Sequence, residues 1–369
     1  MAIKILHTAD VHIGAKLTFL GERAEEQRKQ INATFSATCA LGAKQKADLL
    51  LIAGDLFDSP YPSAANVLFV QDCLQKLNAR GIYVVIIPGN HDLLEVGSIF
   101  ARDSFRQSDK LKIFKSGEIE AWSIPALDLV VYGRATLQRK SKSSPLAGLK
   151  LQHTAKFHVG VFHGSVELLP EVDNLPIKKE EIGASGLSYL ALGDWHSTLD
   201  VSQGKTKAFY SGAPELVATT QFGAGNAVMV ELGEKGCSAD KVAVGKRKAV
   251  KLEVDLAKFK DTASLSSELN KRSDADTFLS ITLNGNRQLE SDFDVSSLQE
   301  FLSQHNFFVH ITDNSQLALQ DKDLKAFPPE TVIGRFILNL QKRKGKDVAE
   351  NAIIDEAIQL GVKLLRDED

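Results

Sequence analysis

The chain has 369 residues, 43% hydrophobic and 25% charged, which suits a folded protein and excludes disorder as its main state. That length predicts two domains, with room for a third, and a core large enough to stand without disulfides or a structural zinc. The formal net charge of −3 excludes a histone-like protein that binds DNA by global basicity. It leaves room for an enzyme with local basic contacts around an acidic metal site.

The three cysteines, Cys39, Cys73 and Cys237, are odd in number and far apart, so a reducing compartment is expected. The first residues, MAIKILHTAD, run straight into a strand-like segment unlike a secretory signal. No apolar stretch approaches the roughly 18 residues that span a bilayer. A soluble, cytoplasmic protein without a membrane partner is the expectation.

In chain order, residues 3–6 read as a strand, 22–46 as a helix, 48–53 as a buried strand, 63–80 as a helix and 83–87 as another buried strand. This β-α-β-α-β order with continuous apolar strands predicts an α/β sheet covered by helices. Further strands are read at 129–132, 157–162 and 189–192, with 209–211 and 227–232 as a closing hairpin. Residues 137–150 (LQRKSKSSPLAGLK) read as a basic surface loop. A boundary is placed within 233–248. Beyond it, strands at 248–255, 278–283 and 307–312 alternate with helices near 262–273 and 296–305, the pattern of a small α/β module. From Pro328 and Pro329, which suit a helix start, the chain reads as helix to Leu365. In that tail Val332, Phe336, Ile337 and Leu340 mark one apolar face, and Ile353, Ile354, Ala357 and Leu360 another, and both read by default as packing on the tail's own domain.

Five short motifs each follow a predicted strand: Asp10-Val-His12, Gly54-Asp55-Leu-Phe-Asp58, Gly89-Asn90-His91-Asp92, His163-Gly164 and Gly193-Asp194-Trp195-His196. In α/β sheets the carboxyl ends of parallel strands open onto one crevice, so the five would deliver their side chains to one place. Any one of them is more simply a turn or a helix cap. Five together, all bearing nitrogen or oxygen ligands, point to metal. Imidazole, carboxylate and amide oxygen without thiolate suit Mn²⁺, Fe or Zn²⁺, with Mg²⁺ less favoured by histidine. The donors exceed what one ion needs. Two ions fit better, and such pairs mostly hydrolyse phosphate esters. Asp55, on the central buried strand, is the natural bridge between them.

The set DxH…GDxFD…GNHD…HG…GxxH resembles the calcineurin-like metallophosphoesterases. Within them, ADVHIG, GDLFD and PGNHD are similar to the DNA repair exonucleases of the SbcD and YhaO type, bacterial relatives of the meiotic-recombination-eleven nuclease. The resemblance implies a four-layer α-β-β-α sandwich over residues 1–240, a small α/β capping domain over 245–315 and a helical tail over 316–369. It implies that Asp10, His12 and His196 hold one metal, that Asn90, His163 and Asp194 hold the second, and that Asp55 bridges them. His91 would face the scissile phosphate and help protonate the leaving oxygen. Asp58 would orient His91 and favour its charged form, or else cap a helix before Pro60. The usual last motif is Gly-His-x-His. Here Asp194 replaces an imidazole, which shifts preference toward Mn²⁺ or Mg²⁺ and adds negative charge near the phosphate.

The function the resemblance implies is a two-metal, Mn²⁺-preferring DNA nuclease in double-strand-break repair, an exonuclease on double-stranded ends and an endonuclease on single strands. Its implied partners are DNA, an SbcC-like coiled-coil ATPase on which the apolar faces of the helical tail would dock instead of packing on their own domain, and a second copy of the chain, held through residues 22–46 or 63–80. The rivals are a phosphoesterase for a small-molecule or protein phosphoester and a DNA-end-binding scaffold without turnover. Trp195 reads as packing or as a pocket wall. The basic groups Arg139-Lys140-Ser-Lys142, Lys178-Lys179 and Lys246-Arg247-Lys248 read as solvated surface or as DNA contacts. The Tyr210–Glu215 segment resembles a turn of that family near the rim of the site, and reads as a plain turn or as a contact to the DNA backbone.

Overall fold

The computed structural model describes residues 2–102, 108–151, 153–167, 174–287, 293–317, 324 and 326–366. They form two compact units, residues 1–249 and 250–369.

The first unit is built on two six-stranded sheets. In the first sheet β1 (Ile3–Thr8), β2 (Leu49–Ala53), β3 (Tyr83–Ile87) and β4 (Leu111–Ile113) run parallel. β11 (Asn226–Gly233) adds antiparallel to β1, and β12 (Gly236–Ala243) pairs with β11 at the edge. In the second, β6 (Leu129–Gly133), β7 (Phe157–His163), β8 (Tyr189–Gly193) and β10 (Lys207–Tyr210) run parallel. Antiparallel β5 (Glu120–Ile124) and β9 (Leu199–Asp200) close its edges.

Strand alternation decides which side chains meet between the sheets. Ile5, Leu49, Leu51 and Val85 from the first sheet share one core with Leu129, Val131, Val159, Val161 and Ala191 from the second. The outer faces carry the other parity and are apolar too, so these strands read as continuous hydrophobic runs. α1 (Ala24–Lys44) and α2 (Ala64–Asn78) bury Ile31, Phe35, Val70, Leu74 and Leu77 along this unit. On the second sheet, Val130, Phe162, Leu190 and Leu192 pack with Ile182 of the short α3 (Lys179–Ala184) and with loop residues Leu146, Val166 and Ile177. The architecture is an α-β-β-α sandwich whose fourth layer is mostly loop.

Several elements differ from the sequence expectation. Residues 207–210 and 226–233 form no hairpin, because β10 belongs to the second sheet and β11 to the first. β11 instead turns through Gly233 and Gly236 into β12, which occupies part of the stretch read as a boundary. α2 is capped by Ser63, whose hydroxyl accepts from Asn66 N at 3.3 Å, so Asp58 is no helix cap.

In the second unit, β14 (Thr277–Asn284) and β16 (Phe308–Asp313) pair in parallel within a three-stranded sheet that includes β13 (Lys248–Asp255). Leu265 and Leu269 of α4 (Thr262–Asn270) and Leu298 and Leu302 of α5 (Val295–Ser303) share its core. The short pair β15 (Asn286–Arg287) and β17 (Gln316–Leu317) follows. α6 (Val332–Gln341) begins at Thr331, which caps Gly334 N at 3.0 Å, rather than at the prolines. α7 (Val348–Arg366) turns Ile354, Ile358 and Val362 inward against Ile337, an i, i+4, i+8 stripe. Val332, Ile353 and Leu360, read as facing the core, are exposed. No helix among the described residues is long and apolar enough to cross a membrane.

His7 lies on β1 inside the packed first unit, its Nδ1 2.9 Å from the hydroxyl of Tyr189 on β8. Burial lowers its pKa from 6.5 to about 3. The unfolded chain takes a proton on His7 below about pH 6.5 while the folded chain refuses it down to about 3, so stability falls with falling pH in that window. Between pH 7 and pH 5 this group is expected to cost ~2 kcal/mol. Urea unfolding of wild type and His7→Gln at both pH values, in EDTA, checks it. An equal loss in the variant would assign the acid sensitivity to other groups.

Candidate metal centre

The parallel strands of both sheets end at one place, and the loops leaving them are tied to one another. Asp10 N donates to Gly54 O at 3.1 Å, His12 N to Asp55 O at 3.0 Å and Asp58 N to Ile13 O at 3.1 Å, zipping the loop after β1 to the loop after β2. The buried Asp92 braces the third loop, accepting from Phe57 N at 3.0 Å and from Gly89 N at 2.7 Å. The bonds hold a strained backbone. Asp10, His12, Asp55 and Asp194 have φ of 54°, 53°, 52° and 99°, in the left-handed region where non-glycine residues are rare. Glycine is required at 54, where φ is +92° and a Cβ would stand 2.3 Å from His163 Nδ1. It is required at 89 too, where a Cβ would stand 2.2 Å from Asp55 Oδ1.

All nine residues singled out from the sequence lie in one connected cluster. His12 Nε2 and His196 Nε2 face each other at 3.3 Å. Asp55 Oδ1 accepts from His91 N at 2.8 Å, while Oδ2 lies 3.8 Å from His12 Nε2 and 3.5 Å from His163 Nε2. Asp194 N donates to Asp10 Oδ1 at 3.0 Å. Asp194 Oδ1 accepts from Asn90 Nδ2 at 3.2 Å and lies 3.6 Å from His163 Nε2. Asp58 Oδ1 is 3.1 Å from His12 Nδ1 and 3.5 Å from His91 Nδ1, so one carboxylate serves two imidazoles. The His91 side chain, 46% exposed, stands edge-on to the His12 ring and faces the open side.

Several supporting residues were not given these roles from the sequence, which placed Tyr210 and Glu215 only in a turn near the rim. The Ala53 carbonyl accepts from His163 Nδ1 at 2.9 Å, which directs the ring's other nitrogen into the cluster. Ser165 hydrogen-bonds Asp194, and the Gln221 side chain hydrogen-bonds His196 Nδ1. The Tyr210 hydroxyl donates to Gly164 O at 2.6 Å and accepts from Val166 N at 2.8 Å, fixing the turn after β7. Buried Glu215 accepts from Thr34 Oγ1 at 2.8 Å and from the Lys246 and Arg247 amides at 2.9 and 3.1 Å. Such groups announce themselves only through contacts distant in sequence. Arg247 is buried against Glu26, which removes it from the basic surface read at 246–248. Trp195 packs on the outer core of the second sheet.

The charge balance is that of a cation site. Burial pushes the Asp10 carboxyl up to about 7, and burial raises Asp194 as well. Burial works against a charge on His163, yet Asp55, Asp194 and Asp10 overcome it and lift its pKa to about 9. Burial drops His196 to about 3, leaving that ring neutral. The hydrogen bond to Asp58 lifts His91 to about 8 against the opposing effect of burial. Burial opposes ionisation of Asp58 too, but its bonds to His12 and His91 hold it well below the usual carboxylate range. Asp10 Oδ2, Asn90 Oδ1 and His163 Nε2 are buried without a hydrogen-bond partner. Buried polar atoms are normally paired. Three unpartnered polar atoms in one cluster are what a metal ion would satisfy, taking the place of the proton on His163. Ligand atoms of three overlapping groups, Asp10–His12–His196, His12–Asp55–His91 and Asp10–Asp55–His163, each fall within 4.8 Å of one another. The donor set fits hard or borderline divalent ions.

Residues 3–181 match the family described as calcineurin-like phosphoesterase. These residues carry a calcineurin-like metallophosphoesterase domain. The chain is 26% identical over 225 residues to the Bacillus subtilis protein named uncharacterized metallophosphoesterase YhaO, covering 57% of this chain and 52% of that one. It is 26% identical over 228 residues to the DNA double-strand break repair protein Mre11 of Saccharolobus solfataricus, covering 58% and 55%. It is 37% identical over 91 residues to the SbcD component of the SbcCD nuclease of Staphylococcus epidermidis, covering 24% and 23%. The chain thus spans about half the length of the first two of these relatives.

Asp92→Ala would leave the Phe57 and Gly89 amides unpaired and release the third loop from the second. A loss of about 2–4 kcal/mol is expected in urea unfolding in EDTA. An unchanged midpoint would remove Asp92 from this bracing role.

Proposed function

We propose that the protein is a two-metal DNA nuclease of double-strand-break repair, an exonuclease on double-stranded ends and an endonuclease on single strands. The observation that carries the reading is the cluster of unpartnered, buried donor atoms at the joint mouth of both sheets. The relatives named for break repair and for nuclease action supply the DNA substrate. Asp10, His12 and His196 would hold one ion, and Asn90, His163 and Asp194 the other. Asp55 would be shared, since its Oδ2 lies within 4 Å of both His12 Nε2 and His163 Nε2. Mn²⁺ suits this set best, with Mg²⁺, Fe and Zn²⁺ also compatible. Bound there, the pair would supply Lewis acidity, neutralising phosphate charge and activating the attacking water.

The chain's own residues do the rest. Asp58 fixes the His12 ring by its Nδ1, which leaves Nε2 to serve as ligand. Ser165 and Asn90 fix the Asp194 carboxylate. His91 is held by Asp58 at the open side, where it would meet the phosphodiester, balance its charge and pass a proton to the leaving oxygen. An SbcC-like ATPase and a second copy of the chain are the protein partners of this reading, and the cytoplasm its compartment.

The test is cleavage of labelled single- and double-stranded DNA with Mn²⁺, Mg²⁺, Zn²⁺ or EDTA. Cleavage is expected with Mn²⁺ and lost in EDTA. His91→Ala is expected to bind two ions by calorimetry, as wild type does, yet cleave at least about 100-fold more slowly. Asp55→Ala is expected to lose both ion binding and the rise in Tm that Mn²⁺ gives wild type. Two bound ions without cleavage of any DNA would overturn the nuclease reading.

A further inference from the structure

Beside the metal cluster lies a cavity of about 210 Å³ that the mechanism above does not use. It opens at the end of β6, the strand next to β7, and His163 forms part of its wall. Its chemistry is mixed. Leu137, Pro145 and Leu175 give it apolar sides, while Gln138, Ser141 and Ser143 give it hydrogen-bonding edges. Arg134 supplies a cation, and among the described residues no carboxylate pairs with it.

The cavity is built into the same framework as the cluster. On one side Thr136 N donates to Pro88 O at 3.2 Å and Leu94 N to Thr136 O at 2.8 Å, tying its wall to the loop that carries Asn90 and His91. On the other, Leu175 N donates to Ser141 O at 2.8 Å and Ser165 N to Leu175 O at 3.1 Å, leading to the serine that bonds Asp194. The same loop continues into Arg139, Lys140 and Lys142, the basic run noted in the sequence.

We propose that this cavity receives one nucleotide of a single DNA strand, the neighbour of the phosphodiester under attack, with Arg134 on its phosphate. The proposal rests on the nuclease reading and specifies how that site takes its substrate. A nucleotide joins a flat, weakly polar base with hydrogen-bonding edges to an anionic phosphate. Apolar walls, an amide, two hydroxyls and a guanidinium answer each part. The guanidinium fork suits a phosphate in both geometry and charge. The volume is below the roughly 300 Å³ of ordinary ligand pockets, so it admits one unit and no duplex. A duplex end must therefore fray before its strand can enter. The exposed basic run beyond the cavity draws the rest of the strand toward it.

The experiment uses the full chain and a short labelled oligothymidylate. Binding is read by fluorescence anisotropy in EDTA across a salt series. Hydrolysis is read with Mn²⁺ on the oligonucleotide and on bis(p-nitrophenyl) phosphate, which has no neighbouring nucleotide. Arg134→Gln is expected to weaken oligonucleotide binding about tenfold and to make the log–log salt slope shallower by about 0.7. It is expected to lower the ratio of oligonucleotide to bis(p-nitrophenyl) phosphate kcat/KM by a similar factor, with Arg134→Lys between the two. Ser143→Tyr, at an exposed position on the rim, is expected to lower the same ratio by filling the cavity with Arg134 intact. Thermal unfolding confirms that each variant is folded. Wild-type binding in Arg134→Gln, or an equal loss on both substrates, overturns the proposal and leaves the nuclease reading standing. A wild type that hydrolyses bis(p-nitrophenyl) phosphate but neither binds nor cuts the oligonucleotide overturns both.

Discussion

The rest of the first unit depends on how closely the ends of β2, β7 and β8 approach across the two sheets. The Ala53 carbonyl, last on β2, accepts from His163 on β7, and a Cβ at Gly193 on β8 would stand 2.0 Å from that carbonyl oxygen. Nothing larger than glycine fits there, and the sheets meet backbone to side chain. The core between them sets the sheets at this separation, with Leu51, Val85, Val159 and Val161 filling it around the buried His7–Tyr189 pair. Closure at the strand ends then forces five loops into one small volume.

That volume holds more unshared charge than a protein interior tolerates. Asp10, Asp55 and Asp194 are gathered with His12, His163 and His196, nearly all out of water. The cost appears as a raised Asp10 and polar atoms left without partners, and the raised His163 is the carboxylates drawing in a compensating proton. A buried charge is tolerated when paired or bound to metal. The strained backbone at Asp10, His12, Asp55 and Asp194 fits the same account, since it turns side chains inward that ordinary loops would turn to solvent. Asp194 adds a third carboxylate to the cluster, and Ser165 and Asn90 hydrogen-bond it in place.

Bracing comes from residues outside the cluster of donor atoms. Asp92 joins the second and third loops, Tyr210 clamps the turn after β7, and Gln221 reaches the far side of His196. Glu215 ties α1 to the amides of Lys246 and Arg247, so the segment that leaves this unit starts from a fixed point. The core of the second unit is separate and simpler, with helices α4 and α5 on a three-stranded sheet and a helix pair closed by the Ile354–Ile358–Val362 stripe.

The sequence by itself determined the alternation of buried strands and helices, because continuous apolar runs and helical periodicity are local signals. It also placed the motif residues at strand ends, since Gly-Asp and Gly-Asn steps mark sharp turns after apolar runs. It did not reveal that β10 and β11 part into different sheets, because pairing is chosen by which edge is free and not by the strand's own composition. Nor did it distinguish Val332, Ile353 and Leu360, which face out, from Ile337, Ile354 and Ile358, which face in, since either stripe satisfies the helical period. The tertiary structure alone decided that Asp58 serves two histidines, that Asp92 and Glu215 are buried braces, and that Arg134 lines a cavity beside His163. Each of these depends on distances between residues far apart in the chain, and such distances exist only once the two sheets have closed on each other.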